Sequence, residues 1–558
     1  MPETKELTIF LYDKDDVVEF NKLKTSDIKK IFVFSPGIEK YVENHFNYEI
    51  LNIDSDELVV NQKKIINTSK KIYFNFENNI NNTKYFDQGL KENIYNIFFI
   101  SLFSFLYIHY NSIHAKYYAL IYNNKIQFYD NKVDFLEVFI KKIIKKKNQG
   151  FFVFLKSAKV SFYKKVIITL NNYLIPNNYI NSLVYGKKLS FKILEKKEKK
   201  IIQIISYKDF NIHHLLLNFL EKLKFLNKQK HFYFSCFPDE KVETKNVKNQ
   251  IDFILEGLFD DNLSYLKKYL KNLLSNYCNV QIKIEKNFSK FISKINIKKF
   301  YTDQLRYDLP TVVANNSKKL NFETFLVPHG SMSTPSDEYS SFVNKISGRG
   351  MLFSPLADKI FAQTKISAEA IAFYDDINKI IKSDPLLFGD KYTNLKRANL
   401  NKNYLHFLHV SSPKSLSKWP WIYEDFNEYI NNLNNLIIFF SNQDKYKLTI
   451  RFRDGPECDL KSFKEITNNK SENINFSKNK FFIDDLSTHD VLISYSSTAI
   501  EEFLIYNKPV LIYSDYKNYK HINYKFRNDE IIYSNKNTIR DDINSLSLNK
   551  KINYDIKW

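Results

Sequence analysis

Cysteine is scarce in this sequence, and its scarcity excludes two kinds of stabilising site. The 558 residues include only three cysteines, and Cys236, Cys278 and Cys458 lie far apart in the chain. An odd number of widely spaced cysteines provides neither a disulfide framework nor the closely spaced pairs of a structural zinc site. The sequence therefore fits a reducing compartment.

Long apolar runs are also missing. The most apolar segment, IFFISLFSFLYI at 97–108, has about a dozen residues, whereas a helix needs about 20 to cross a bilayer. We interpret this segment as a buried helix. The N-terminus, MPETKELTIFLYDKDD, carries acidic residues early and lacks the cationic start and apolar core of a signal peptide. We expect a cytoplasmic protein, which could lie peripherally on the inner face of the cytoplasmic membrane.

Recognisable nucleic-acid modules are absent from a chain whose formal charge is +21. The basic residues are nearly all lysines spread through the chain, whereas nucleic-acid readers favour arginine forks in a recognisable module. We expect no nucleic-acid partner. The charge should still attract phosphorylated substrates and anionic lipid headgroups. The densest basic run, KKIIKKKN at 141–148, could contact an anionic membrane surface or form a solvated helix face.

Strand and helix patterns alternate along most of the chain, which predicts an α/β fold class with parallel, doubly wound sheets. The length suggests about three domains. We predict an N-terminal α/β region of unknown role at 1–225, a first Rossmann-like domain on the acceptor side at 228–385, and a second Rossmann-like domain for a nucleotide donor at 400–545. Tandem sheets of this kind bind ligands in a cleft at the C-terminal ends of their strands.

Several local predictions follow the same patterns. The segments KIYFNF at 71–76, NVQIKIE at 279–285 and KNKFFID at 478–484 are predicted strands. The section at 183–207 alternates around a Gly-Lys-Lys turn signal, which is typical of a hairpin. The polar segment that starts at Ser331 is predicted to be a long loop.

The stretch DVLISYSSTAIEEFLIYNKPVLIYS at 490–514 predicts a strand, a helix and a second strand, which together form a βαβ unit. The strand-to-helix turn carries hydroxyl groups next to backbone N–H groups that have no intrahelical partners. Two interpretations compete. Thr498 and Glu501 can form a capping box while Ser496 and Ser497 fill the turn, or the hydroxyls and N–H groups can bind a phosphate or diphosphate.

Other polar residues follow predicted strands that would face the same cleft. In FLVPHGS, His329 can act as a base while Gly330 lets the backbone approach a ligand, or the histidine can simply pack in a turn. Asp303 ends the strand of KKFYTDQL. Ser331 and Arg349 belong to the predicted loop, where functional residues are common, and Arg349 is either a phosphate or acid clamp or an ordinary surface arginine.

Arginine is rare in this chain, which draws attention to the end of the strand KLTIRFR. Arg451 and Arg453 alternate there and so share one face. Their forks suit a diphosphate or a carboxylate, and the alternative is pairing with local acids such as Asp454 or Glu457. The tandem acids at 484–485 could hold a ribose or cap a turn.

These segments resemble the GT-B transferases of bacterial surface polysaccharide assembly. A strand ending in His-Gly, a strand ADKIF at 357–361 and the stretch at 490–514 look like the CDP-glycerol glycerophosphotransferase type and the capsule and lipopolysaccharide sugar transferases. The resemblance covers about residues 228–530. It departs at IRFRDGPEC, where these families often carry Lys-x-His-Pro.

The resemblance implies a GT-B-like, metal-independent transferase that needs no separate cofactor. Its implied partners are a nucleotide-sugar donor and a saccharide or lipid-linked acceptor. His329 would act as catalytic base or leaving-group contact, and Glu501 or Glu502 would approach the donor ribose. The implied donor phosphate ligands are Ser496, Ser497 and Thr498, with Arg451 and Arg453 in place of the missing histidine.

Two alternatives remain open. The same fold and the Ser-Ser-Thr-Ala-Ile-Glu-Glu turn resemble UDP-N-acetylglucosamine 2-epimerases, which need several carboxylates and histidines around the sugar. The chain could instead be a non-catalytic, basic binding protein that tethers an assembly complex or nucleic acid. That alternative predicts salt-sensitive binding to polyanions without a nucleotide pocket.

Overall fold

The computed structural model describes the greater part of the chain as three sheets with helices packed on them. The described residues are 7–23, 27–34, 36–53, 55–112, 115–147, 162–175, 182–185, 201–204, 211–222, 231–235, 245–292, 296–306, 309–328, 334–335, 337–383, 404–410, 426–452, 459–467, 471–495, 497–515 and 531–546.

The first sheet has the order β3-β2-β1-β4-β5 within the described residues. Its strands are β1 Leu7–Leu11, β2 Ile28–Val33, β3 Glu49–Leu51, β4 Tyr117–Tyr122 and β5 Lys125–Tyr129. Its helices are α1 Lys14–Lys22, α2 Pro36–Glu43, α3 Ser55–Asn82, α4 Gln88–Asn111 and α5 Lys132–Lys147. β1 to β4 run parallel, whereas β5 returns antiparallel through Asn123 and Asn124. Both asparagines have positive φ, as a two-residue hairpin turn requires.

The second sheet has the order β12-β11-β10-β9-β6-β7-β8 within the described residues, with parallel neighbours throughout. Its strands are β6 Ser182–Tyr185, β7 Ile201–Ile204, β8 His231–Phe234, β9 Lys299–Thr302, β10 Glu323–Leu326, β11 Lys359–Ala362 and β12 Ile380–Lys382. The accompanying helices are α6 Phe162–Leu174, α7 Ile212–Lys222, α8 Lys245–Ile254, α9 Ser264–Ile292, α10 Leu309–Leu320, α11 Glu338–Gly348 and α12 Lys365–Ala372. The strand order reverses between β6 and β9.

The third sheet has the order β15-β14-β13-β16-β17-β18 within the described residues and is also parallel. Its strands are β13 Leu405–Val410, β14 Tyr446–Arg451, β15 Ile474–Phe476, β16 Val491–Ser494, β17 Val510–Tyr513 and β18 Ile531–Ser534. Its helices are α13 Phe426–Ser441, α14 Leu460–Thr467, α15 Phe482–Thr488, α16 Ala499–Ile505 and α17 Ile539–Ser545. This is the doubly wound Rossmann order. The predicted α/β class with two doubly wound sheets and an additional α/β unit is confirmed, as is the βαβ unit at 490–514.

Three of the strand predictions are wrong: the hairpin at 183–207 and the strands at 71–76 and 279–285. β6 and β7 pair in parallel, so 183–207 is not a hairpin, and the second sheet takes two strands from the range predicted as the N-terminal region. Residues 71–76 lie inside α3 and residues 279–285 inside α9. Both helices bury residues at helical spacing along their length, and this longer period outweighs the local β-branched residues.

Two further predictions are corrected by short helices. The predicted strand at 478–484 runs into α15 instead. The predicted long loop after Ser331 contains α11, which begins with a capping box between Asp337 and Ser340. The box satisfies backbone groups that an irregular loop would leave to water.

The predicted buried helix at 97–108 is confirmed as part of α4, which is buried on nearly every side. This helix packs against α3 of its own unit and against α9 and α10 of the second unit. Gly89 permits the close approach, because a Cβ there would lie 2.6 Å from the Cβ of Asn315 on α10. Within the described ranges, no helix is both long and apolar enough to span a membrane.

A buried ion pair fastens α4 to the segment that follows α11. Arg349 Nε donates to Glu92 Oε2 at 2.7 Å, and Nη2 donates to Oε1 at 2.6 Å. The guanidinium carbon also lies 4.1 Å from the ring centre of Tyr95. The next residue, Gly350, has a φ of +78°, and a Cβ there would lie 2.7 Å from the carbonyl oxygen of Leu305. Only glycine suits this backbone conformation and this spacing.

The first unit also contacts the unit of the third sheet. Helix α2 packs against α14, and Lys14 Nζ donates to Asp459 Oδ2 at 2.8 Å and to the Ser462 hydroxyl. Burial alone would raise the pKa of Asp459, but the hydrogen bonds from Lys14 and Ser462 lower this pKa to about 2. The first unit therefore bridges the other two.

We predict that Arg349→Ala lowers the free energy of unfolding by about 3 kcal/mol, because it leaves the carboxylate of Glu92 buried without its cation. Glu92 has a side-chain exposure of only 1%. The matched control is Lys461→Ala, which removes an exposed pair with Glu465 and should change stability by less than about 1 kcal/mol. Urea unfolding of both variants tests the prediction, and equal effects would contradict it.

Candidate functional site

The turn after β16 lies where the strand order of the third sheet reverses, between β13 and β16. Ser494, the last residue of β16, donates its Oγ hydrogen bond to the carbonyl of Val410 at the end of β13, at 2.7 Å. Ser497 is half-buried and Thr498 is exposed just before α16, while Ser496 lies outside the described residues. Doubly wound sheets bind ligands at this reversal. The turn that we predict to bind phosphate therefore lies at the reversal of strand order, where doubly wound sheets bind ligands.

The capping-box interpretation of this turn is wrong. Thr498 has helical backbone angles, and its side chain makes no capping hydrogen bond. The hydroxyl of Ser497 instead accepts a bond from the N–H of Ala499 at 3.2 Å. The carboxylate of Glu501 does not return to the turn, because it is engaged by a residue of the second unit.

Glu501 joins the unit of the third sheet to that of the second. Thr364 Oγ1, at the N-cap of α12, donates to Glu501 Oε2 at 2.7 Å, and both residues are buried. Ile366 of α12 packs into the same apolar cluster as Tyr495. Burial raises the pKa of Glu501 to about 7, although the bond from Thr364 acts in the opposite direction. The carboxyl group therefore takes up its proton near neutral pH.

The C-terminal end of β10, in the second sheet, lies beside the contact between Thr364 and Glu501. Gln363 Nε2 donates to the carbonyl of Pro328 at 2.8 Å, which holds the end of β10 next to the turn that precedes α12. His329, Gly330 and Ser331 follow Pro328 in the sequence but lie outside the described residues. Their predicted roles stay predictions.

Asp303 lies at the reversal point of the second sheet. It directly follows β9, and its N–H donates to the carbonyl of Tyr185 at the end of β6, at 3.4 Å. The residue is half-buried. Its position is one at which doubly wound sheets contact ligands, and its catalytic role stays a prediction.

Arg451 is held by a polar network at the end of β14. Its Nη1 donates to the carboxylate of Asp485 and to the carbonyl of Asn479 at 2.9 Å, and Nη2 donates to the carbonyl of Lys480 at 3.3 Å. The buried Asp485 also accepts bonds from the Ser477 hydroxyl and the Asn479 amide, each at 2.7 Å. Arg451 thus pairs with an acid, although not with the neighbouring acids that the sequence suggested. The guanidinium group of Arg451 therefore links the end of β14 to α15.

The remaining candidates fall into three groups. Arg453 lies outside the described residues. The fork of Arg349 is filled by Glu92, which argues against the predicted clamp. Glu502 is half-buried on α16, and adjacent helical residues point about 100° apart, so Glu501 and Glu502 meet different neighbours. Which of the two approaches a ribose stays a prediction.

Thr364 is the site residue that sequence reasoning missed. It follows the strand KIFAQ, and Thr-Lys-Ile-Ser has the hydroxyl spacing of a helix start, so its place at an N-cap was open to prediction. Its bond to Glu501 was not, because the two residues are 137 positions apart. No local pattern encodes a contact at that separation.

The arrangement suits an anion between the two units. Ser497 and Thr498 offer hydroxyl groups at the turn, while the N–H groups of Ala499 and Ile500 already donate to the hydroxyl and the carbonyl of Ser497. An ionised carboxylate nearby would oppose an anion by like-charge repulsion. The raised pKa of Glu501 reduces that repulsion near neutral pH.

Comparison with solved structures finds an epimerase and two glycosyltransferases among the similar chains. A UDP-GlcNAc 2-epimerase from Methanocaldococcus jannaschii has 14% identity and a TM-score of 0.36, covering 67% of this chain and 94% of its own. The lipopolysaccharide outer core galactosyltransferase WaaB has 12% identity and a TM-score of 0.31, covering 60% and 80%. The calicheamicin glycosyltransferase CalG4 has 8% identity and a TM-score of 0.34, covering 66% and 89%.

No family model matches the chain, and no curated protein matches it. TM-scores as low as these support no inference about activity. What the protein does must therefore be argued from its own residues.

We predict that Glu501→Gln changes stability little near pH 4.5 and stabilises the protein increasingly as the pH rises to about 7. The folded pKa of about 7 exceeds the ordinary value of 4.5, so the folded state holds its proton while the unfolded state releases it. Stability therefore falls as pH rises from about 4.5 to about 7, by on the order of 3 kcal/mol. Urea unfolding of wild type and variant from about pH 5 to pH 8 should show that the difference in their free energies of unfolding grows as the pH rises. Parallel curves would contradict the assignment.

We also predict that Asp485→Asn partly rescues Arg451→Ala. Removing Arg451 alone leaves a buried carboxylate without its cation and should destabilise by about 3 kcal/mol. Neutralising Asp485 in that background removes the buried charge, so the double variant should be more stable than the single one. Asp484→Asn, at the exposed neighbouring carboxylate, is the matched control and should give no rescue in thermal or urea unfolding.

Proposed function

We propose that the protein is a glycosyltransferase of surface polysaccharide assembly. It moves a sugar, or glycerol phosphate, from a nucleotide-activated donor to a saccharide or lipid-linked acceptor without a catalytic metal. The observation that carries the proposal is the position of the hydroxyl-bearing turn after β16, at the reversal of a doubly wound sheet and beside the second unit. The resemblance of the 490–514 stretch to GT-B transferases supports the same assignment.

In this proposal the donor diphosphate sits at the β16–α16 turn. Ser497 and Thr498 donate hydrogen bonds to phosphate oxygens, which gain negative charge as the bond to the sugar breaks. Donors fixed before the reaction stabilise such charge more than mobile water does. Because the pKa of Glu501 is raised to about 7, part of the Glu501 carboxyl groups are neutral near pH 7, which lessens the repulsion of the phosphates.

The acceptor side is assigned to the end of β10. His329 follows Pro328, whose carbonyl is bonded to Gln363, and Gln363 precedes the residue that bonds Glu501. In a single displacement, the acceptor oxygen bonds to the sugar carbon while the carbon–oxygen bond to the diphosphate breaks. The acceptor hydroxyl proton passes to His329 as general base. This route inverts the configuration at the sugar carbon.

Arg451 has a supporting role in this account. Its guanidinium already bonds Asp485 and two backbone carbonyls, so it orders the end of β14 and does not serve as the main phosphate ligand. A loss of donor binding in an Arg451 variant would therefore reflect a disturbed fold as much as a lost contact.

The test is thermal-shift binding against CMP, CDP, UDP and GDP. We expect one nucleotide to raise the melting temperature, since saturation at a hundredfold excess over Kd stabilises by about 2.7 kcal/mol. The double variant Ser497→Ala, Thr498→Val should lose the shift. Ser487→Ala, at an exposed serine on α15 whose hydroxyl bonds only within its own helix, is the matched control and should keep it.

The same measurement separates the two alternatives. A nucleotide shift together with conversion of the free nucleotide sugar in the absence of any acceptor would favour the epimerase. No shift with any nucleotide, together with salt-sensitive binding to polyanions, would favour the non-catalytic binding protein. Either result would overturn the proposal that the protein is a transferase.

A further inference from the structure

Most of the excess positive charge lies in one stretch of the chain. Residues 141–230 contain 21 lysines, no arginine and four acidic residues, a formal charge of +17 against +21 for the whole protein. The lysines are therefore concentrated in this stretch and not evenly spread through the chain. Within the run at 141–148, Lys141 pairs with Glu137 and the buried Lys142 pairs with Asp16.

The same stretch contains α6, which exposes large apolar side chains along one face. Phe162 and Tyr173 are 83% and 73% exposed, and Tyr163, Val166 and Leu170 are also exposed. At about 100° per residue these five positions fall within an arc of about 100°. The residues that α6 buries lie on the opposite side of the helix.

Helix α7 packs against α6 and has a second apolar stripe. Ile212, Leu216 and Phe219 are exposed and fall within an arc of about 60°. The two helices share a small buried cluster formed by Ile167 and Ile168 of α6 with residues of α7 and β8. We call α6 and α7 the exposed helix pair. Soluble proteins seldom leave so many large apolar side chains of adjacent helices in water without a use.

The exposed helix pair is anchored to the edge of the second sheet by asparagines. Asn218 Nδ2 donates to the carbonyl of Tyr233 on β8 and its Oδ1 accepts from the Tyr233 N–H, both at 2.8 Å. Asn171 Nδ2 donates to the same carbonyl at 2.8 Å, and Asn218 also donates to Asn171 at 2.7 Å. These bonds fix the inner side of both helices. The outward apolar stripes are thus presented by a rigid base.

We infer that the exposed helix pair docks the protein onto an anionic membrane surface. Apolar and aromatic side chains would enter the boundary between headgroups and acyl chains, as amphipathic helices do at an interface. The lysines of the 141–230 stretch would be attracted to acidic headgroups, at about 1 kcal/mol for each lysine near the surface. The inference concerns membrane attachment and holds whether or not the proposed transfer reaction is correct.

Charge and side-chain type favour lipid over the other occupants. Association of two copies through α6 and α7 would pair two 141–230 stretches that each carry a formal charge of +17, and like charges oppose association. A single-stranded nucleic acid stacks its bases on aromatic side chains. Of the eight exposed side chains, Phe162, Tyr163, Tyr173 and Phe219 are aromatic, but Val166, Leu170, Ile212 and Leu216 are aliphatic and offer no such platform. Aliphatic side chains with nearby lysines and no arginine suit a lipid interface.

The test is co-sedimentation of the full chain with phosphatidylcholine vesicles, with and without phosphatidylglycerol as about a third of the lipid. We expect binding to the anionic vesicles and weaker binding to the neutral ones. The triple variant Phe162→Ser, Leu170→Ser, Tyr173→Ser should bind the anionic vesicles at least about tenfold more weakly, since burying one such side chain supplies roughly a tenfold change or more.

The matched control removes three exposed apolar side chains elsewhere: Val60→Ser, Phe74→Ser and Ile438→Ser. It should bind vesicles like wild type, and both variants should unfold at the wild-type temperature. Equal loss in both variants, or none in either, would overturn the inference. Two other outcomes would also overturn it. In one, the wild-type chain does not bind vesicles but self-associates in sedimentation velocity, and the triple variant does not. In the other, the wild-type chain binds RNA in place of vesicles, and the triple variant does not.

Discussion

A buried hydrogen bond from Thr364 to Glu501 joins the two doubly wound units at the place where their ligand-binding edges meet. Its donor caps the helix after β11, and its acceptor lies one turn into the helix after β16. The bond therefore fixes the spacing between two loops, and each loop belongs to a sheet edge at which such folds bind ligands. Because the carboxyl group is buried, its pKa lies near neutrality, so the contact and the local charge depend on pH together.

The first unit gives this pair of sheets a third support. It holds the second unit through the buried pair of Glu92 and Arg349 and the packing of α4, and it reaches the third unit through Lys14 and Asp459. A unit that bridges both sides of a cleft restricts how far the sides can separate.

The sequence allowed much of the architecture to be predicted, since buried parallel strands such as 491–494 and 510–513 are short apolar runs bounded by turn signals. It failed where a local pattern and a longer period disagreed, as in residues 279–285, which look like a strand but belong to a helix of 29 residues. The pairing of β6 with β7 was missed because a turn signal between two apolar runs cannot show whether the chain returns or crosses over.

The candidate site was predictable in part and for similar reasons. The turn after β16 can be recognised from the local sequence, because its hydroxyl-bearing residues lie between a predicted strand and a predicted helix. The partners of Glu501, Arg349 and Arg451 cannot be recognised in this way. Each partner lies in a different segment of the chain, and only the fold brings the two residues together. The guanidinium groups of Arg349 and Arg451, which looked available in the sequence, are paired with buried acids.

The central claim is that a nucleotide diphosphate binds at the turn after β16, between the second and third sheets. A crystal structure with the nucleotide that stabilises the protein most tests it directly. We expect phosphate oxygens within hydrogen-bond distance of Ser497 and Thr498, on the side of the turn that faces the second unit. Phosphates bound at the opposite edge of the third sheet, or on the first unit, would contradict it.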